Sequence, residues 1–248
     1  MPYEHIELLL ENLQMDFSKI DSLIDFFLKS FQDEGVNKFS ITLLEKDKWK
    51  EYEFKWDEPE NAKKKLFESK LVIHNFLISI GNLYRIYFNK KILTRNKPFK
   101  GDLSITFGDF YYYTSEGEKG KEKITKRLNL FYDLLFFILK TFNIDHIAAG
   151  VEFEHNVPSS TNLQLMCFKD KKYLDFLQKH VKLGAKLDLS KKELETLIKE
   201  SKPTIIKKYG YTLISWAGPK DRNKINLSDN SFYQLIRKKY GVERPYAT

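Results

Sequence analysis

Residues 16–56 read DFSKIDSLIDFFLKSFQDEGVNKFSITLLEKDKWKEYEFKW, and two periods follow one another in them. Between Asp16 and Gln32, the apolar residues Phe17, Ile20, Leu23, Ile24, Phe27, Leu28 and Phe31 recur at spacings of three and four. That spacing predicts a helix with one apolar stripe. Asp21, Asp25, Lys29 and Asp33 fall off the stripe, and Gly35 supplies a stop. The period then changes to two. Phe39, Ile41 and Leu43 alternate with Ser40 and Thr42, and Tyr52, Phe54 and Trp56 alternate with Glu51, Glu53 and Lys55. Two such runs, joined by Glu45-Lys46-Asp47-Lys48, predict an antiparallel hairpin.

The same reading extends outward. Ile6–Leu13 reads as a short helix before the first strong one. Pro59–Lys70 is helical, with Pro in the first turn. Leu71–Ile80 and Leu83–Phe88 form strands about a Gly81-Asn82 turn, and a further strand runs over Leu103–Tyr113 after Gly101-Asp102. Thr114–Lys121 is a polar loop. Lys123–Phe142 is a helix apolar nearly all round, which places it centrally. Ile147–His155 and Leu163–Phe168 make another hairpin about Pro158-Ser159-Ser160. Lys171–Lys182 is helical. Ser190-Lys191-Lys192-Glu193 is a capping box opening a helix that Pro203 ends. Tyr211–Trp216 is a late strand and Ser231–Lys239 a final helix.

Paired strands between helices define an α+β fold, with largely antiparallel sheet packed with helices. The order helix–strand–strand–helix near 16–70 returns near 123–182 and raises a duplicated module, although no residue-level repeat accompanies it. The expected organisation is a single α+β domain over 1–248, with a two-lobe split near 115–122 as the alternative.

Charge is segregated along the chain. Residues 1–60 hold 7 Lys/Arg against 15 Asp/Glu, residues 61–100 hold 10 against 1, and residues 201–248 hold 10 against 3. Either the acidic segment folds against the basic one, or a basic face stays free for an anionic partner. Only 6 of the 42 basic residues are Arg. Lys meets phosphate as a point charge, so any nucleic-acid contact would favour backbone over bases. The sole cysteine, Cys167, sits in the apolar run Leu163–Phe168; a buried thiol and a reducing compartment are expected. Met1-Pro2-Tyr3-Glu4-His5 lacks the layout of a signal peptide, and Leu128–Leu139 is too short and too polar to span a bilayer. A cytoplasmic protein with no membrane association is expected.

Asp145, His146, Glu152, Glu154 and His155 form the best polar cluster; Glu152, Glu154 and His155 are its acid/base candidates, and with Asp145 its metal candidates. Glu152 and Glu154 share one strand face, about 7 Å apart from the strand rise, while strict alternation sets His155 on the other. A solvated outer face competes with that reading. His74 reads as a core histidine, and His180 has no catalytic company in sequence. The basic loop Gly218–Lys224 reads as a solvated turn, with phosphate contact as the alternative. No phosphate loop, zinc spacing or nucleophile elbow is present, and no cofactor is expected. The binding candidates are Tyr84, Arg85, Tyr87, Lys90, Lys91, Arg95, Lys97 and Lys100, where aromatics and cations interleave as in sheets that stack bases.

The leading expectation is a non-enzymatic protein that binds another protein, of inhibitor, immunity or regulatory adaptor type. Its support is many aromatics with separated charge. The alternative is an RNA- or DNA-binding protein, in its catalytic form a metal-dependent nuclease. A protein binder should expose a Tyr, Phe or Trp patch near a charged pole.

Overall fold

Ile41, Ile78, Ile86 and Ile105 stand in one row across four neighbouring strands of the computed structural model, and all four are buried. The strands are β2 (Lys38–Glu45), β4 (Asn75–Ile80), β5 (Tyr84–Asn89) and β6 (Phe99–Gly108). β3 (Lys48–Lys55) adds Tyr52 to the row by pairing with β2. All of these pairings are antiparallel. The structure describes residues 5–32, 38–45, 48–67, 75–80, 84–89, 99–108, 111–112, 114–151, 163–221 and 231–242. Gly35, Lys46-Asp47, His74, Gly81-Asn82 and Pro158–Ser160 lie outside them.

The chain divides into two compact units. The N-terminal unit takes Leu8–Asp109 and Asp133–Ile144. Its strand order is β1-β6-β5-β4-β2-β3, where β1 is His5–Met15. On one face of these strands Phe39, Ile41, Leu43, Ile78, Ile86, Leu103, Ile105 and Phe107 are buried. The helix α1 (Phe17–Phe31) buries Ile20, Leu23, Ile24, Phe27, Leu28 and Phe31, the stripe that its spacing predicted. Asp16 caps it: its carboxylate accepts the Lys19 N–H at 2.9 Å and the Ser18 hydroxyl at 2.7 Å. Those bonds hold the Asp16 carboxyl below its ordinary range. α2 (Pro59–Phe67) places Lys65 over the ring of Tyr52 at 4.3 Å.

The C-terminal unit takes Met1–Glu7, Phe110–Tyr132 and Asp145–Thr248, with strand order β10-β11-β9-β8-β1. Its strands are β8 (His146–Val151), β9 (Leu163–Lys169), β10 (Thr204–Lys208) and β11 (Tyr211–Ser215). Every residue from Leu163 to Phe168 is buried, because both faces of β9 are covered. On one face, Tyr132 of α3 (Gly117–Phe142) hydrogen-bonds Ser215 at 2.8 Å. On the other, Met166, Phe168 and Ile214 pack with α4 (Tyr173–Gly184), α5 (Lys191–Glu200) and α6 (Ser231–Tyr240) through Leu177, Leu197, Phe232 and Tyr233. The short β7 (Tyr111–Tyr112) and β12 (Lys220–Asp221) pair in parallel. The capping box at Ser190 is present with both of its bonds.

The α+β class with mainly antiparallel pairing is as expected, and the order helix–strand–strand–helix occurs twice, as α1-β2-β3-α2 and α3-β8-β9-α4. Four local readings are corrected. The segment expected as a helix at Ile6–Leu13 is the strand β1; Ile6, Leu8 and Leu10 are buried at period two, and pairing with β8 overrides the helix propensity of Leu and Glu. β6 begins at Phe99 rather than after Asp102, and β7 is separate from it. α3 begins at Gly117, so most of the expected loop is helix, with Lys121 bonded to Glu118 one turn apart. The strand β10 was not expected at all. It joins β11 through Tyr209 and Gly210, with φ of 54° and 81°, the left-handed pair of a two-residue hairpin turn.

The isoleucine row sets the cost of substitution. Ile86→Ala is expected to lose about 2–5 kcal/mol, whereas Thr106→Ala on the opposite face of the same strands should change stability by less than about 0.5 kcal/mol. Urea titration of both variants checks the contrast.

Candidate binding face on the N-terminal sheet

Antiparallel partners put their side chains on the same face, so the register assigns the other face of this sheet. One row runs Glu53, Ser40, Ser79, Arg85 and Thr106. The next runs from Glu51 and Thr42 to Tyr87 and Ser104. Alternation adds Trp49 and Lys55 from β3, Lys38 from β2, and Lys100 and Asp102 from β6. All of these side chains are partly or fully exposed. Ser40 and Ser79 hydrogen-bond at 2.9 Å, and Lys38 bonds Glu53 at 2.8 Å.

Trp49 is the prominent feature. It is 50% exposed, and its ring centroid lies 6.3 Å from that of Tyr87 with the planes tilted by 52°. An aromatic pair on an exposed sheet face, beside the exposed Arg85, is the combination that recurs at the anchors of binding surfaces.

Of the residues expected to bind, Arg85, Tyr87 and Lys100 come together on this face. Tyr84 pairs with Phe107 and Ile80 and so has the other parity. Lys90, Lys91, Arg95 and Lys97 lie outside the described residues. Trp49 was absent from the expected set because it arrives from a strand distant in sequence. Its signal was present: Glu51, Glu53 and Lys55 alternate with the apolar side of β3, and Trp49 shares their parity.

Among the described residues, the acidic and basic segments meet at Lys63. Lys63 of α2 lies 3.2 Å from Asp21 and also bonds Asp25, both on α1. Burial opposes the charge on Lys63, but the bonds to Asp25 and Asp21 outweigh it and raise its pKa.

Among the metal and acid/base candidates, Asp145 is exposed and its carbonyl accepts the Lys169 N–H at 2.9 Å. Glu152, Glu154 and His155 lie outside the described residues. Among the described residues no group of three His, Cys, Asp or Glu converges to hold a metal. No helix among them is long and apolar enough to cross a membrane.

The C-terminal unit buries three groups with chemical potential. The Cys167 thiol is buried between strands and burial pushes its pKa up to about 12, which removes it as a nucleophile. His180 of α4 hydrogen-bonds the Tyr233 hydroxyl of α6, and burial pushes its pKa down to about 4. Gln164 is fully buried where the β8–β9 register shifts, and its side-chain amide has no hydrogen-bond partner among the described residues.

The α+β architecture is shared by proteins of many activities. No family model matches the chain, and no curated protein sequence matches it. Among solved structures it is similar to a T6SS protein of Pseudomonas aeruginosa, at 8% identity and a TM-score of 0.48, over 98% of this chain and 76% of that one. A likeness at this level carries no argument about activity.

Two outcomes test the buried groups. Replacing Gln164 with Met removes a buried amide while keeping its length, so Gln164→Met should raise stability by about 1–3 kcal/mol in urea titration. His180 is neutral when folded and takes up a proton near 6.5 when unfolded. Its depressed folded pKa makes stability greatest above pH 6.5 and drains it as pH falls from 6.5 towards about 4. His180→Asn should flatten the stability profile in that window relative to the wild type.

Proposed function

We propose that this chain is a non-enzymatic binding protein whose partner is another protein, and that the exposed face carrying Trp49, Tyr87 and Arg85 makes the contact. The observation that carries the reading is the Trp49–Tyr87 pair on the side of the sheet away from the isoleucine row. Aromatic rings of this kind contribute large contact area at low entropic cost, and a neighbouring Arg adds directional hydrogen bonds. The surrounding Ser40, Thr42, Ser79, Ser104 and Thr106 supply a polar rim. An inhibitor, immunity factor or regulatory adaptor fits this description.

A second reading, RNA or DNA binding, rests on Arg85 and Lys100 flanking Tyr87 on the same face. Charge balance favours the first. Lys38, Lys55, Arg85 and Lys100 share the face with Glu51, Glu53 and Asp102, so it is close to neutral. A polyanion track needs unopposed cations. A cytoplasmic location fits both readings and stays a proposal with them.

The test replaces Trp49 with a photo-crosslinking phenylalanine analogue and irradiates the protein in cells that express it. A discrete protein adduct, lost when Arg85→Glu is added, is the expected result. Binding of mixed-sequence single-stranded RNA or DNA is measured in parallel at about 50 and 200 mM salt, where counterion release is visible. Micromolar binding that weakens steeply with salt, with no protein adduct, would replace the first reading by the second.

A further inference from the structure

Among the described residues, the C-terminal unit ends on a strand paired on one side. β10 is outermost in its sheet order and pairs on one side only, with β11, among the described residues. Its other side presents backbone donors and acceptors that a further strand can satisfy. Open edges in natural proteins are commonly shielded by charge, and β10 carries Lys207 and Lys208 at its end. The shielding is incomplete. Ile205 is 51% exposed and Tyr209, in the adjoining turn, 60% exposed.

The side chains specify what the edge accepts. Ile205 sits beside the buried Ile214, so it extends an apolar surface that stops half-covered at the edge. Lys207 lies two residues on, on the same face, and Ile206 and Lys208 repeat the order on the other. Residues 201–215 hold three lysines, Lys202, Lys207 and Lys208, and no Asp or Glu. Lys207 makes no ion pair among the described residues. A second copy in antiparallel register would set Lys207 and Lys208 against Ile205 and Thr204 and bring no carboxylate to the seam, whereas an acidic segment complements its charge.

We propose that β10 is a docking edge for an extended acidic segment of another protein, added as one more strand of the sheet. The segment places apolar residues against Ile205 and Ile206 and acidic residues against Lys207 and Lys208. This site is separate from the Trp49 face, shares no residue with it, and stands whether or not that reading holds.

The probe is a fluorescein-labelled peptide, Ser-Asp-Glu-Val-Val-Thr-Ser, which matches β10 in antiparallel register. Its control has the same side chains with alternate backbone nitrogens methylated, which removes strand donors. Saturable binding within about 1 mM is expected for the first peptide, since the main-chain hydrogen bonds of an added strand supply affinity. It should weaken at least tenfold for the methylated control and for Lys207→Glu, and hydrogen exchange should slow at residues 204–208. Both the peptide and the exposed Lys207 leave the core untouched, so loss of binding cannot be loss of fold. No binding at 1 mM peptide, equal binding of the control, or wild-type binding by Lys207→Glu would overturn the proposal. So would slow exchange at 204–208 without peptide in a sedimenting dimer.

Discussion

The register of β2, β4, β5 and β6 governs both the stability and the surface chemistry of the N-terminal unit. Burial of Ile41, Ile78, Ile86 and Ile105 fixes the parity of their pairing, because a one-residue slip of any of these strands would turn its isoleucine outward. Branched side chains suit this position, since they lose little freedom in a strand and fill the pleat. The same alignment forces Ser79, Arg85, Tyr87, Ser104 and Thr106 to the opposite face. The polar and aromatic composition of that face is thus a geometrical by-product of core burial. Trp49 follows from it through the β2–β3 hairpin, whose register aligns Glu51 with Thr42.

The C-terminal unit solves the burial problem differently. Its strands β8, β9 and β11 are covered on both faces, and their residues are apolar almost without alternation. Hydrogen bonds between buried side chains then carry the specificity that polar alternation carries elsewhere. Trp216 donates to the Ser201 hydroxyl at 2.8 Å, which in turn donates to the Ile198 carbonyl at 2.8 Å. Tyr132 and Ser215 do the same on the other face. Such fully satisfied groups fix one arrangement of α5, β11 and α3 within this unit.

Legibility in the sequence tracks how far a segment's fate is decided locally. The helix at Phe17–Phe31 and the hairpin of β2 and β3 were readable because period, caps and turn residues agreed. β1 was not, because Leu8-Leu9-Leu10-Glu11 supports either period and its neighbours in the sheet decide. β10 is hard to read because Thr204–Lys208 is short, lacks aromatics, and follows a proline that signals only a helix stop. For the face itself, interleaving groups Arg85, Tyr87 and Lys100 with Tyr84, whereas the register sets the first three on one face and Tyr84 out of phase by one residue. Trp49 needed the pairing of two strands before its company with Tyr87 could be seen.

Cys167 gives the chain a built-in clock. It is the sole thiol, and it is sealed between Leu213 and Ile147 on neighbouring strands. Alkylation waits on an opening that exposes the buried thiol. The rate at which it is labelled therefore counts openings of the C-terminal sheet, with no engineered probe and no second thiol to confuse the signal.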